Sequence, residues 1–171
     1  KRPVGNRTLK RIETKNRFIP IFMTGLLGIL FTFGCATEYK LNLPDSFAVY
    51  NREKKAYRAI TAGGVKVRSF QVKNDPKGSV EMWFSAIDIH LKSGGYQEVS
   101  SEDFTSPQNF DGRIAEYRYL YNGKDYTYLI AILIDQDKIY VIESGGLQKR
   151  VSPYKKEIIS SIKDFSTGNT H

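Results

Sequence analysis

Cysteine is nearly absent from this chain. The single Cys35 excludes an intramolecular disulfide framework and any multi-cysteine zinc or iron–sulfur site. Histidine is almost as scarce. His90 and His171 are the only two, and neither belongs to an HExxH or Cys–His pattern, so no metal centre is expected. The nucleophile elbow GxSxG, the dinucleotide fingerprint GxGxxG, the P-loop and the twelve-residue calcium loop are all missing. No cofactor is therefore expected. Repeats and low-complexity tracts are also lacking, and 40% of the 171 residues are apolar, which suits one folded domain with an appended segment.

What is present is charge, unevenly spread. Residues 1–34 hold seven of the 26 basic residues against one acid, Glu13, while the remainder carries 19 basic and 17 acidic residues, a net +2. A nucleic-acid binder keeps its basic excess on the folded part, where several phosphates must be neutralised together. Here the excess lies on a segment outside the expected fold, so no nucleic-acid partner is expected.

After Arg17 the chain is uncharged for twenty residues, FIPIFMTGLLGILFTFGCAT. As a helix rising about 1.5 Å per residue, this run would reach roughly 30 Å, a bilayer's hydrocarbon thickness. A basic stretch, an apolar stretch and then small residues is the layout of a secretory signal, and the basic flank should stay cytoplasmic. Cys35 closes the run after Gly34. This resembles the lipobox of bacterial lipoproteins, in which the cysteine thiol takes a lipid and a small residue precedes it. Thr32 and Phe33 depart from the usual leucine and small residue, so the resemblance rests on position and on Gly34. It implies a signal peptide over 1–34 and lipid attachment at Cys35. The alternative is an uncleaved signal-anchor with Cys35 as a small apolar residue. Either leaves a domain outside the cytoplasm and tied to a membrane.

Residues 35–43 read as a tether, with the domain over 44–166 and a frayed tail from Ser166 on, disordered over 167–171. Strands are expected at 46–50, 56–61 and 65–73. Val80, Phe84, Ile87 and Leu91 then recur at four, three and four, with Trp83 widening the stripe, Ser79 as N-cap and Gly94-Gly95 as stop. This spacing predicts a core-packed helix. A short strand over 96–101 and a loop over 102–111 follow. Asn122-Gly123 predicts a tight hairpin that pairs Tyr121 with Lys124, Tyr119 with Tyr126 and Tyr117 with Tyr128. Paired residues share a face, so Tyr117, Tyr119, Tyr126 and Tyr128 should cluster. The strand 125–134 is apolar on both faces and must be covered on both. A last helix should open at Ser152-Pro153 and bury Tyr154, Ile158, Ile162 and Phe165.

The helix carrying Trp83 and leading to GGYQEV, the run EYRYLYNGKDYTYLIAILIDQDKIYVIES and the closing Y…IISSIKDF together resemble the PsbP/Mog1-like family over residues 44–166. The resemblance implies an α+β fold, a twisted, mainly antiparallel sheet flanked by helices on both faces as an αβα sandwich. It also implies non-enzymatic proteins that bind or help assemble partners.

Two features suggest a partner surface. The tyrosine cluster offers wide contact area with polar tips, or else packs the core beneath a helix. Lys149, Arg150, Lys155 and Lys156 gather where the last helix begins, against the helix dipole, open to an anionic partner or simply solvated. The expected function is a membrane-anchored, extracytoplasmic lipoprotein of the bacterial cell envelope, a non-catalytic binding or assembly module for a protein partner. The alternatives are an envelope hydrolase using Ser144 or His90, or a carrier of a small apolar ligand held between sheet and helix.

Overall fold

The computed structural model describes residues 39–50 and 56–168. Among them the elements run β1 (Tyr39–Lys40), β2 (Phe47–Val49), β3 (Ala56–Thr61), β4 (Lys66–Lys73), α1 (Val80–Ser93), β5 (Gln97–Thr105), β6 (Asp111–Tyr121), β7 (Lys124–Asp135), β8 (Lys138–Leu147), α2 (Gln148–Val151), a 3-10 turn (Ser152–Tyr154), α3 (Lys155–Lys163) and β9 (Ser166–Thr167). The expected leader over 1–34, Cys35 and residues 169–171 lie outside the described residues.

Seven strands form one antiparallel sheet in the order β2-β3-β4-β8-β7-β6-β5. Its register is set at the Asn122-Gly123 turn, where both residues take left-handed φ of 49° and 69°, the geometry that matches a tight hairpin to strand twist. Tyr121 opposes Lys124, Tyr119 opposes Tyr126, and Tyr117 opposes Tyr128, as expected.

The apolar residues of β7 divide by parity. Leu129, Ala131 and Leu133 join a core with Val151, Ile158, Ile162 and Phe165, from α2, α3 and the residues after them. Ile130 and Ile132 join another with Phe84 of α1, where Trp83, Ile87 and Leu91 are partly buried. Ser79 caps α1 as expected, its hydroxyl accepting from the Met82 amide at 3.2 Å. Burying Phe84 contributes about 2–3 kcal/mol.

Four expectations need correction. The tether over 35–43 contains β1, which pairs with β9, and Leu41 just after it is buried in the core. The tail likewise supplies β9: Thr167 is buried, and its amide donates to the Gln108 side chain at 2.8 Å. Half of the loop over 102–111 is strand, with 102–105 in β5 and Asp111 opening β6. Polar residues of β5 are held by cations from elsewhere, Asp103 by Arg113 at 2.6 Å and Glu102 by Lys163 at 2.9 Å. Finally, Ser152 does not cap the last helix. Its hydroxyl donates back to the Gln148 carbonyl at 2.8 Å, because a short helix already occupies 148–151 and a 3-10 turn carries Pro153 into α3.

Candidate functional site

The tyrosines gather at the end of the sheet nearest the Asn122-Gly123 turn, around a residue the sequence reading left out. Tyr96 follows the Gly94-Gly95 stop of α1. Its ring stacks on Tyr119 at 4.6 Å between centroids, meets Tyr117 edge-on at 6.5 Å and Tyr128 at 5.6 Å. Tyr119 stacks in turn on Tyr121 at 6.2 Å. The register that pairs Gln97 with Arg118 brings Tyr96 alongside Tyr119, a neighbourhood that the strand expected over 96–101 could not supply without its partner.

These rings are not equivalent. Tyr117 is fully buried, so it belongs to the core beneath α1 and cannot itself be a contact surface. Tyr119, Tyr126 and Tyr128 are half-buried, and Tyr126 faces Leu147 across the β7–β8 ladder. Tyr121 is 54% exposed, and the adjacent Leu120, on the opposite face, is 66% exposed.

Polar tips fix the cluster. The Tyr117 hydroxyl donates to Asp88 at 2.9 Å, and Lys92 bridges Asp88 at 2.7 Å and Glu98 at 2.9 Å. Burial, with the acceptor carboxylate of Asp88, pushes the Tyr117 phenol well above its ordinary range. Burial and the Glu143 carboxylate, which accepts from the Tyr128 hydroxyl at 2.8 Å, do the same to Tyr128. Both phenols are therefore neutral donors at physiological pH.

The basic set separates. Lys149 and Arg150 are exposed in the last turn of α2, where a helix end favours cations. Lys155 is paired with Glu116 at 3.0 Å, so it ties α3 to β6, while Lys156 is exposed. The expected single cluster at one helix start is thus two exposed cations on α2, an ion pair from Lys155 to β6, and the exposed Lys156.

The residues considered for hydrolysis lie apart. Ser144 is buried on the sheet face of Tyr140 and Ile142, and its hydroxyl has no hydrogen-bond partner among the described residues. His90 is exposed on α1. The larger surface grooves are mixed in polarity: one of about 530 Å³ beside the start of α1 is lined by Glu81, Asp103, Asp111 and Arg113 together with Phe104 and Ile134. Among the described residues, no group of three or more His, Cys, Asp or Glu is placed to hold a metal ion.

No protein-family profile matches the chain, and no curated protein sequence matches it. Solved structures do. The cyanobacterial PsbP protein CyanoP from Synechocystis sp. PCC 6803 superposes with a TM-score of 0.52 at 10% identity, over 83% of this chain and 99% of that one. The chain has a PsbP-like fold. The same PsbP-like arrangement is similar to LpqN, involved in cell envelope biogenesis of Mycobacterium tuberculosis, with a TM-score of 0.63 at 12% identity over 77% of this chain and 83% of that one. It is similar too to PA94, a protein of unknown function from Pseudomonas aeruginosa, with a TM-score of 0.54 at 6% identity over 68% and 94% of the two chains.

Proposed function

We propose that this chain is a membrane-anchored, extracytoplasmic lipoprotein of the bacterial cell envelope. In this reading Cys35 carries the lipid, and the PsbP-like domain is a three-layer αβα sandwich working as a non-catalytic binding module for a protein partner. The observation that carries the binding role is the ring stack Tyr96–Tyr119–Tyr121, set against the buried Tyr117 through Tyr96 and open at Tyr121. Rigid aromatic rings with polar tips supply contact area at small entropic cost, which suits a protein partner. The parity of β7 supports the layering, with alternate residues feeding a core that includes α1 and a core that includes α3. LpqN, whose fold is similar, is involved in cell envelope biogenesis, which favours an envelope setting.

Two experiments test this reading in the native bacterium. Cys35→Ser should move the protein out of the membrane fraction, and an intact mass showing an unmodified Cys35 on a chain that keeps its leader rejects lipidation. Tyr121→Ala should cut partner capture by in-cell cross-linking while leaving the melting temperature unchanged. Undiminished capture rejects the aromatic stack as the contact.

A further inference from the structure

The long strands give the sheet two distinct ends. β6 starts at Asp111, and the register aligns that residue with Ile134, Ile139 and Val72 across β7, β8 and β4. Gln108, in the connection just before β6, belongs to this end. Its side-chain amide takes both main-chain groups of Thr167, accepting from the amide at 2.8 Å and donating to the carbonyl at 3.2 Å. Thr167 opposes Tyr39, so the chain enters the domain here, and the burial of Leu41 pins that entry to the core.

The ring stack lies at the other end. The 11 residues of β6 from Asp111 to Tyr121 span about 33 Å at the usual strand rise. β8 runs the same way, ending at Leu147 opposite Tyr126, so α2 with the exposed Lys149 and Arg150 leaves the sheet at the tyrosine end. Residues 36–38 separate Cys35 from Tyr39, and extended chain of that length reaches at most about 14 Å. A rigid body held by so short a leash cannot swing its far end through a bilayer. Averaged over its tilts, the far end stands the higher.

We propose that the tyrosine stack is the membrane-distal tip of the anchored protein, and that its partner is a protein whose contact site stands up to about 45 Å from the membrane holding Cys35. The inference rests on the lipid and binding-module readings and adds a direction to them. It also turns Lys149 and Arg150 away from the headgroups of that membrane.

The test uses the lipidated protein, purified from the native bacterium and reconstituted on vesicles of phosphatidylethanolamine and phosphatidylglycerol with an acceptor-labelled lipid. Cys35 is the chain's single cysteine and the lipid consumes its thiol, so Lys124→Cys beside the turn and Asp137→Cys at the entry end each offer one exposed site for a donor dye. The dye at position 137 should lose about twofold more emission to the acceptor than the dye at position 124. A Gly/Ser insert of about 24 residues after Ala36, roughly 27 Å in root-mean-square length, should erase that difference without changing the melting temperature. Tyr121→Ala, and Lys149→Glu with Arg150→Glu, should leave both signals unchanged.

The proposal is overturned if the dye at position 124 is quenched as much as the other or more, if the insert leaves the difference in place, or if either surface variant alters the quenching at position 124. Vesicle flotation and intact mass keep the readings apart. Protein that floats, carries the lipid and fails the dye comparison overturns the orientation alone, whereas protein without lipid rejects the anchor and the orientation with it.

Discussion

The Tyr117 phenol donates a 2.9 Å hydrogen bond to Asp88, fastening a fully buried residue of β6 to the middle of α1. Asp88 also accepts from Lys92, so the carboxylate keeps one partner when the phenol is removed. Tyr117→Phe preserves the ring packing and should cost about 1.5–3 kcal/mol, the range for a hydrogen bond to a charged acceptor. Urea unfolding measures it, and a loss near zero would show that α1 is held by its apolar stripe alone.

Acid should loosen the same junction. Burial pulls the Asp88 carboxyl up, but hydrogen bonds from Lys92 and Tyr117 outweigh it and hold the group below its ordinary range. Lys92 and Ser101 depress Glu98, and Arg113 depresses Asp103. Groups whose folded pKa lies below the unfolded one contribute stability above the unfolded value and lose it as pH falls through the folded value. The urea midpoint should therefore hold near neutrality and fall below about pH 5. Lys92→Met should flatten that fall, because Asp88 and Glu98 both lose their cation.

Asn74 is buried just past β4 and binds three segments together. Its side-chain oxygen accepts from the Gly78 amide at 2.9 Å and from Trp83 Nε1 at 2.7 Å, while its amide donates to the carbonyls of Gly78 and Gln136. Asn74→Ala strands these groups, and a loss of about 3 kcal/mol is expected from unpaired polar atoms. Trp83 is the chain's one tryptophan, so its fluorescence reports both the unfolding midpoint and the local change.

Ser144 gives the opposite sign. Its hydroxyl is buried without a partner among the described residues, so Ser144→Ala removes an unsatisfied group and should be neutral or stabilising by up to about 1 kcal/mol. A thermal melt decides it. A marked loss would mean that the hydroxyl is bonded in solution.

The central part of this fold was readable because its signals are local. Asn122-Gly123 fixes a turn, and the turn fixes eleven paired residues on each side of the β6–β7 ladder. The α1 stripe needs only its own fourteen residues. The edges were not readable, for the converse reason. Tyr39 pairs with Thr167, two-residue strands whose partners lie at opposite ends of the domain, and neither carries a pattern of its own. In β5, Glu102 and Asp103 look like loop residues until Lys163 and Arg113 arrive from distant segments to pair them. Tyr96 stood at the head of the strand expected over 96–101, but its place in the ring stack follows only once Gln97 is seen opposite Arg118.

The pairing of β1 with β9 closes the domain like a buckle. The backbone arriving at Tyr39 and the backbone departing at Thr167 run side by side in opposite directions. A reporter fused after Thr167 would therefore emerge beside the strand at which the chain enters the domain, and a bulky one would crowd that entry. An epitope placed in the Asn122-Gly123 turn avoids that site but stands beside the exposed Tyr121 ring.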